Sequence, residues 1–254
     1  MTVLGGWVRD VGAGLSFFTR WPLPASAHAV PLADAARAVP IAGLLAAIPS
    51  AVVLLVLGSA DPLVAAIAAT AVLLASTGAL HEDGFADVAD GFWGGKDAAS
   101  RLEIMRDSRL GTYGVAALVL ALLAKVACIS VLMKVSPLFA AGAVLAAAVM
   151  ARTAALHIWI AGPSARLDGL AASRPTEASF HIAALIAAGL SLALIFWQAP
   201  AGVILATVLL LLAVKGLGLL ARRKIGGVTG DVIGAAIVAG DLVYLATLAI
   251  WAPP

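Results

Sequence analysis

Seven long apolar stretches in this 254-residue chain decide what it can fold into. A helix that crosses a bilayer needs about 20 mostly apolar residues, and each stretch has close to that length. A backbone in lipid must satisfy its own hydrogen bonds, so only helices and closed barrels span membranes. Barrel strands alternate in polarity, and these stretches do not. They predict spanning helices at residues 38–58, 62–80, 112–133, 137–161, 179–197, 200–220 and 232–251.

The composition excludes the soluble classes of protein. Hydrophobic residues make up 63% of the chain and charged residues 12%, against about 25% charged in a typical soluble domain. Cys128 is the only cysteine, which excludes a secreted scaffold held by disulfides. The sequence therefore predicts one all-α domain over residues 1–254, a polytopic integral membrane bundle of about seven transmembrane helices.

The positive charges predict how the bundle is oriented. With the N-terminus inside, the loops on the inner side carry most of the 16 Lys and Arg residues, and those on the outer side carry only Lys134. Short loops rich in Lys and Arg face the cytoplasm, so the prediction is a cytoplasmic N-terminus in the inner membrane. Residues 1–22 mix aromatic and charged side chains, which predicts a helix lying in the interface.

An acidic segment at residues 81–111 follows the second predicted span, on the cytoplasmic side. Read as a helix, it places Asp83, Asp87 and Asp90 on one face, where like charges repel and call for a cation. Carboxylates without a Cys or His cluster favour Mg²⁺ or Mn²⁺. We therefore predict a metal group of Glu82, Asp83, Asp87 and Asp90. The alternative is a solvated acidic face, but the opposite face of this helix is apolar.

Beyond the Gly94-Gly95 break, a second helical stretch is predicted around positions 101–109. It carries Glu103 and Asp107 four residues apart, together with Arg106 and Arg109. The two arginines either contact a substrate phosphate or pair with these acids. His81 adjoins the carboxylates and, like Asp90 or Asp107, is a candidate to accept a proton during catalysis.

Three cations lie within the predicted spans and need explanation. Arg152 requires an anion, either a substrate phosphate or Asp231. Lys125 lies near mid-span, where Asp241 is a candidate partner, and Lys215 lies close enough to the inner end to snorkel.

The loop before the last span adds a candidate anion site, because glycines before a helix leave backbone N–H groups free. The predicted phosphate-binding residues are Arg106, Arg109, Arg152, Gly227, Thr229, Gly230 and Asp231.

Four motifs in the chain carry a family resemblance. They read FFTRWPLP at 17–24, HEDGFADVADG at 81–91, IMRDSRLGTYG at 104–114 and GGVTGDVIGA at 226–235. Together they resemble the cobalamin synthase family, the adenosylcobinamide-GDP ribazoletransferases. One position departs from the family pattern, because Asp241 stands where a glutamate is expected.

The resemblance implies a membrane enzyme of cobalamin biosynthesis. Such an enzyme transfers a cobinamide phosphate from adenosylcobinamide-GDP to α-ribazole or its 5′-phosphate, and GMP leaves. The partners implied are these two substrates and the bilayer, with magnesium as the cofactor and no nucleic acid. A homo-oligomer is compatible with the sequence, which does not determine the oligomeric state.

Two other functions compete with this interpretation. The pattern Asp87-x-x-Asp90-Gly91 also resembles CDP-alcohol phosphotransferases, but Gly94-Gly95 replace the Ala-Arg of their motif. An ion-coupled transporter would use intramembrane acids too, although transporter sites tend to lie near the bilayer midplane. Here the acids crowd at one edge, which favours an enzyme.

Overall fold

The computed structural model describes residues 3–166 and 168–251. Within these residues the chain forms ten α-helices, and its only β-type pairing is a parallel bridge between Ser164 and Val228. The helices are α1 Val3–Phe18, α2 Val39–Val56, α3 Pro62–Thr77, α4 Leu80–Gly94, α5 Ala98–Ile104, α6 Thr112–Val135, α7 Pro137–Ala161, α8 Glu177–Ser191, α9 Pro200–Ile225 and α10 Gly230–Trp251. A π-helical turn, Leu192–Phe196, prolongs α8.

The prediction of a polytopic all-α bundle is confirmed. Six helices in the described residues are long and apolar enough to cross a membrane, and α3 with α4 makes a seventh if the two count as one broken span. The predicted boundaries agree with the six helices to within a few residues. The second predicted span is shorter than expected, because α3 has 16 residues and the chain then bends by 90° into α4.

Local sequence explains where these helices begin and end. Asp61 caps α3 by accepting hydrogen bonds from the N–H groups of Leu63 and Val64, and Pro62 occupies the first turn. Gly78 and Ala79 both adopt left-handed backbone angles, with φ of 64° and 54°. Left-handed residues interrupt a right-handed helix, so α3 ends here and α4 leaves in a new direction.

The helix α7 forms the centre of the bundle. Within its spanning window 83% of the residues are buried, against 22% for α6. It packs against α2 and α10, whose small residues allow close approach. The outward faces of α6 and α9 expose leucine and valine side chains, as expected of surfaces that face lipid.

The helix α4 lies across one end of this bundle. We call this the α4 end; it comprises α4, α5 and the loops at residues 162–176 and 226–229. Lys224, at the C-terminus of α9, donates to the carbonyl of Phe92, and Arg101 of α5 donates to the carbonyl of Lys224, each at 2.9 Å. A Cβ on Gly84 would lie 2.9 Å from the Asp231 carbonyl oxygen, so glycine is needed for α4 to contact the start of α10.

The predicted N-terminal helix is present as α1, and its location in the membrane interface stays a prediction. Buried Asp10 accepts hydrogen bonds from Arg9 and from Arg37, the latter at 2.7 Å. After α1, the indole N–H of Trp21 donates to the Ser76 hydroxyl at 2.9 Å. This contact brings the C-terminal end of α1 next to the turn between α3 and α4.

Candidate active site

A cavity of about 160 Å³ opens at the α4 end, between α1, α4, α7 and α10. Its lining along α7 runs from Trp159 to Arg152, and along α10 from Gly230 to Ile237. Seven helical residues rise about 10 Å, so these two rows give the depth of the cavity. Trp159 and Gly230 therefore mark the rim, and Arg152 and Ile237 mark the closed end.

Three carboxylates and one guanidinium form the rim. Asp83 and Asp231 line the cavity, and Asp87 lies one helical turn beyond Asp83. Arg166 donates to Asp231 Oδ2 at 3.2 Å, and Thr229 donates to the same oxygen. With all groups ionised, the rim carries an excess of two negative charges.

The environment of Asp87 reflects this excess. Partial burial, followed by the charges of Asp83, Asp231 and Asp90, raises the pKa of Asp87 to about 7, although Arg166 opposes the shift. Asp87 lies near Asp231, in the first turn of α10, and near Arg166, outside the six helices that are long enough to cross a membrane. Its carboxylate is therefore held in a site that favours either a proton or a cation.

The predicted group of four metal ligands is not assembled. Asp83 and Asp87 share a face as predicted, but Glu82 points to the other side of α4 and lines a separate internal cavity. Among the described residues, no three His, Cys, Asp or Glu side chains converge closely enough to enclose a metal ion.

Asp90 performs a different task from the one predicted. Its two carboxylate oxygens accept hydrogen bonds from the N–H groups of Gly111 and Gly114, at 2.7 and 2.8 Å. The side chain is 7% exposed and caps the N-terminus of α6, where a negative charge is favourable. Both oxygens therefore accept backbone hydrogen bonds. This position does not support a role for Asp90 in catalysis or in metal binding.

We expect Asp90→Ala to destabilise the fold by about 1–3 kcal/mol, because one buried and one partly buried N–H group lose their acceptor. Thermal unfolding in detergent measures this loss, and Mn²⁺ affinity should stay at the wild-type value. Ser136→Ala, which removes the cap of α7 at the other end of the bundle, is the matched control. A variant that folds normally but loses Mn²⁺ affinity would show that Asp90 is a metal ligand, as the sequence predicts.

A charged cluster lies deeper, behind the closed end of the cavity. It comprises His81, Glu82, Lys125, Arg152 and Asp241, which surround a space of about 10 Å³. The predicted pairing of Lys125 with Asp241 is confirmed, at 2.7 Å. Two cations and two carboxylates bring this deep cluster close to zero net charge.

Of the two anions considered for Arg152, a substrate phosphate or Asp231, the pairing with Asp231 is wrong. Asp231 pairs with Arg166 at the rim, whereas Arg152 is 5% exposed at the closed end. Arg152 donates to the Ala148 carbonyl at 3.1 Å and lies 5.4 Å from the centre of the Phe18 ring. Its charge is offset within the deep cluster, so it does not require a substrate phosphate.

The second helical stretch is shorter than predicted, because α5 ends at Ile104. Arg106 pairs with Asp168 at 3.1 Å and Arg109 pairs with Asp107 at 2.6 Å, all outside the cavity. Hydrogen bonds from Arg109 lower the pKa of Asp107 to about 2, which makes it a poor base at neutral pH. Neither a catalytic Asp107 nor phosphate binding by the two arginines is supported by this geometry.

The glycine loop before α10 contributes only its last residues to the cavity. A Cβ on Gly227 would lie 2.4 Å from the Pro163 carbonyl oxygen, so this glycine allows the 162–176 loop to approach. Thr229 accepts a hydrogen bond from the Val232 N–H and caps α10. Gly230 and Asp231 do line the cavity, as a site at this helix N-terminus requires.

Sequence reasoning missed Arg166 and the aromatic walls. In the sequence, Arg166 is one positive charge among those of the inner loops, and no pattern links it to Asp231, 65 positions away. Phe17, Phe18 and Trp159 line the cavity, although Phe17 and Phe18 do stand in the motif at 17–24. Lys215 is exposed on α9, and its snorkelling stays a prediction.

Comparison with known proteins points to one family. A family model described as cobalamin-5-phosphate synthase matches residues 10–249. The chain is 43% identical to the adenosylcobinamide-GDP ribazoletransferase of Azorhizobium caulinodans, over 97% of each chain. A protein of the same name from a Sinorhizobium species is also 43% identical, over 98% of this chain and 99% of its own. No solved structure matches.

Proposed function

The chain belongs to the cobalamin-5-phosphate synthase family, and we propose that it acts as an adenosylcobinamide-GDP ribazoletransferase. In this reaction a hydroxyl of α-ribazole, or of its 5′-phosphate, attacks the cobinamide phosphate, and GMP leaves. Full-length relatedness carries this assignment. The cavity supports it, because an acidic rim lies beside an apolar interior large enough for part of a substrate.

We further propose that magnesium binds at the rim. The donors fit in kind, because Mg²⁺ prefers carboxylate oxygens and usually takes one or two of them together with water and phosphate oxygens. The rim also fits in charge, since its excess of two negative charges matches a divalent cation. Asp83 and Asp231 would hold the ion. A bound magnesium ion would neutralise the negative charge that builds up on the phosphate during transfer.

The remaining rim residues then have defined tasks. Arg166 lies against Asp231 with its Nε buried and without a hydrogen-bond partner among the described residues, so it is placed to donate to a phosphate oxygen. Asp87, one helical turn beyond Asp83, is the rim carboxylate that this assignment leaves outside the metal, so it is available as a general base. We propose that an Asp87 carboxylate oxygen accepts the proton of the attacking ribazole hydroxyl.

The decisive assay follows GMP release by the full chain purified in detergent. With adenosylcobinamide-GDP, α-ribazole and Mg²⁺ present, we expect equal amounts of GMP and of the joined corrinoid product. An ion-coupled transporter would release no GMP. A CDP-alcohol phosphotransferase would instead release CMP from a CDP-alcohol, and that outcome would overturn the assignment.

The raised pKa of Asp87 predicts how stability depends on pH in the absence of metal. The folded protein holds a proton at Asp87 up to about pH 7, whereas the unfolded chain releases it near pH 4. This group therefore destabilises the fold progressively as the pH rises between these values. In EDTA, we expect Asp87→Asn to unfold at a higher temperature than the wild type at pH 8 and at a similar temperature at pH 4.

Glu103→Gln, an exposed carboxylate on α5, is the control for this pH series. It should follow the wild type at both pH values. If Asp87→Asn gained no stability at pH 8, the pKa of Asp87 would not be raised in the folded protein.

We also propose that the α4 end faces the cytoplasm, in the inner membrane. Most of the loop Lys and Arg residues lie at this end, and such loops stay inside. Cysteines placed at Lys96 and Arg223, in a background without Cys128, should react only with a reagent that enters the cytoplasm. Labelling of either position from outside would reverse the orientation.

A further inference from the structure

We propose that the cavity at the α4 end binds the base of the ribazole substrate, a flat benzimidazole ring system, with its free ring nitrogen directed to Arg152. This inference rests on the proposed function, because it assigns one substrate of that reaction to a place. The cobinamide-GDP substrate then approaches from outside, across the rim carboxylates.

The volume of the cavity limits what can enter it. About 160 Å³ is available, close to the engineered cavity of about 150 Å³ that takes up benzene. A small aromatic ring system fits such a space when the open rim is included. A corrin ring is far larger and is excluded from the interior.

The walls distinguish between the two bases that the reaction brings together. Phe17, Phe18, Leu156, Trp159 and Ile237 line the cavity and offer aromatic and aliphatic surface. Guanine presents several donors and acceptors, each of which costs free energy to bury without a partner. A benzimidazole nucleoside presents a single ring acceptor, so these walls favour it.

The charges point the same way. Behind the closed end, the charges of Arg152 and Lys125 are balanced by those of Glu82 and Asp241, so a neutral ligand at the closed end leaves this balance intact. A diphosphate there would add negative charge next to two buried carboxylates. The rim is the part of the cavity with unbalanced charge, and it suits the metal and phosphate.

The closed end also has polar atoms that need a partner. Arg152 Nε and His81 Nε2 are buried and have no hydrogen-bond partner among the described residues, and both residues line the cavity. An arginine N–H can only donate, and the free nitrogen of benzimidazole can only accept. In such a nucleoside, this nitrogen and the ribose point to opposite sides of the five-membered ring. A bond to Arg152 therefore directs the ribose hydroxyls to the rim.

The test compares α-ribazole with its indole analogue, in which a C–H replaces the free ring nitrogen. Binding of each nucleoside to the wild-type protein in detergent is measured by calorimetry. We expect the indole analogue to bind about 10- to 100-fold more weakly, the range for losing a hydrogen bond to a charged group. Equal binding of the two nucleosides would overturn the contact with Arg152.

A second arm asks which substrate occupies the cavity. Leu156→Phe reduces its volume, and we expect the KM for α-ribazole to rise at least tenfold while the KM for adenosylcobinamide-GDP stays unchanged. Leu192→Phe makes the same change in a separate apolar groove between α8 and α9 and should alter neither value. A rise confined to the KM for adenosylcobinamide-GDP would place the guanine or cobinamide in the cavity instead.

The two proposals fail differently. If the wild-type protein releases no GMP, the proposed function fails, but calorimetry still reports whether α-ribazole binds. If GMP is released and the indole analogue binds as well as α-ribazole, the function stands and the cavity assignment falls.

Discussion

Replacing Asp83 or Asp87 with asparagine is expected to lower the rate of GMP release by about 10²–10⁴-fold, in the range that charge stabilisation and general base catalysis contribute. The two variants should fail for different reasons. Asp83 lines the cavity beside Asp231, and its loss removes a ligand of the proposed magnesium. Asp87 is the rim carboxylate assigned as the general base, and its loss removes the group that accepts the hydroxyl proton.

Metal binding separates these two roles. Mn²⁺ affinity, measured by electron paramagnetic resonance on the full chain in detergent, should fall sharply in Asp83→Asn, which loses a ligand. It should fall only slightly in Asp87→Asn, which loses one nearby negative charge. Glu103→Gln should match the wild type in affinity and rate. Wild-type turnover in both Asp variants, or full activity in excess EDTA, would show that the rim residues take no part in the reaction.

Breaking the buried ion pair should have the largest effect on stability. Lys125→Met leaves Asp241 and Glu82 with Arg152 as the only cation among the residues that line this internal space. Removing one partner of a buried pair typically costs about 3–5 kcal/mol. The thermal unfolding midpoint in detergent should therefore fall sharply, and Asp241→Asn should behave in the same way.

The double variant Lys125→Met with Asp241→Asn provides the internal control. Because it removes one charge of each sign, it should regain a large part of the stability that either single change loses. Lys134→Met, a cation exposed near the C-terminus of α6, should have little effect. If the double variant loses as much stability as the two single variants together, the 2.7 Å contact between Lys125 and Asp241 does not stabilise the fold.

The position of the spans could be predicted because it depends on a local property of the sequence. An apolar run of about 20 residues must be buried in lipid whatever its neighbours are, so six helices lie where the sequence places them. The helix α4 and its end at Gly94 are local in the same sense. The ion pair of Lys125 with Asp241 could be anticipated from depth, since a mid-span cation needs an internal anion and Asp241 lies at mid-span in the last helix.

Which acidic side chains face the cavity depended on contacts between distant parts of the chain. Successive helical residues are about 100° apart, which separates Glu82 from Asp83 although they are neighbours in sequence. Asp90 does share the face of Asp83 and Asp87, but it lies where α6 begins, and the N–H groups of Gly111 and Gly114 occupy its oxygens.

Sequence alone thus determined that this chain is a helical membrane protein with an acidic segment at one end, because apolar length and charge spacing act locally. Only the tertiary structure decided which acids form the rim, because α4 meets α10 through Gly84 and so brings Asp231 to Asp83 and Asp87. The 162–176 loop adds Arg166 to them. Packing partners are chosen by the shape and charge of whole surfaces, and a single sequence does not contain that information in any local pattern.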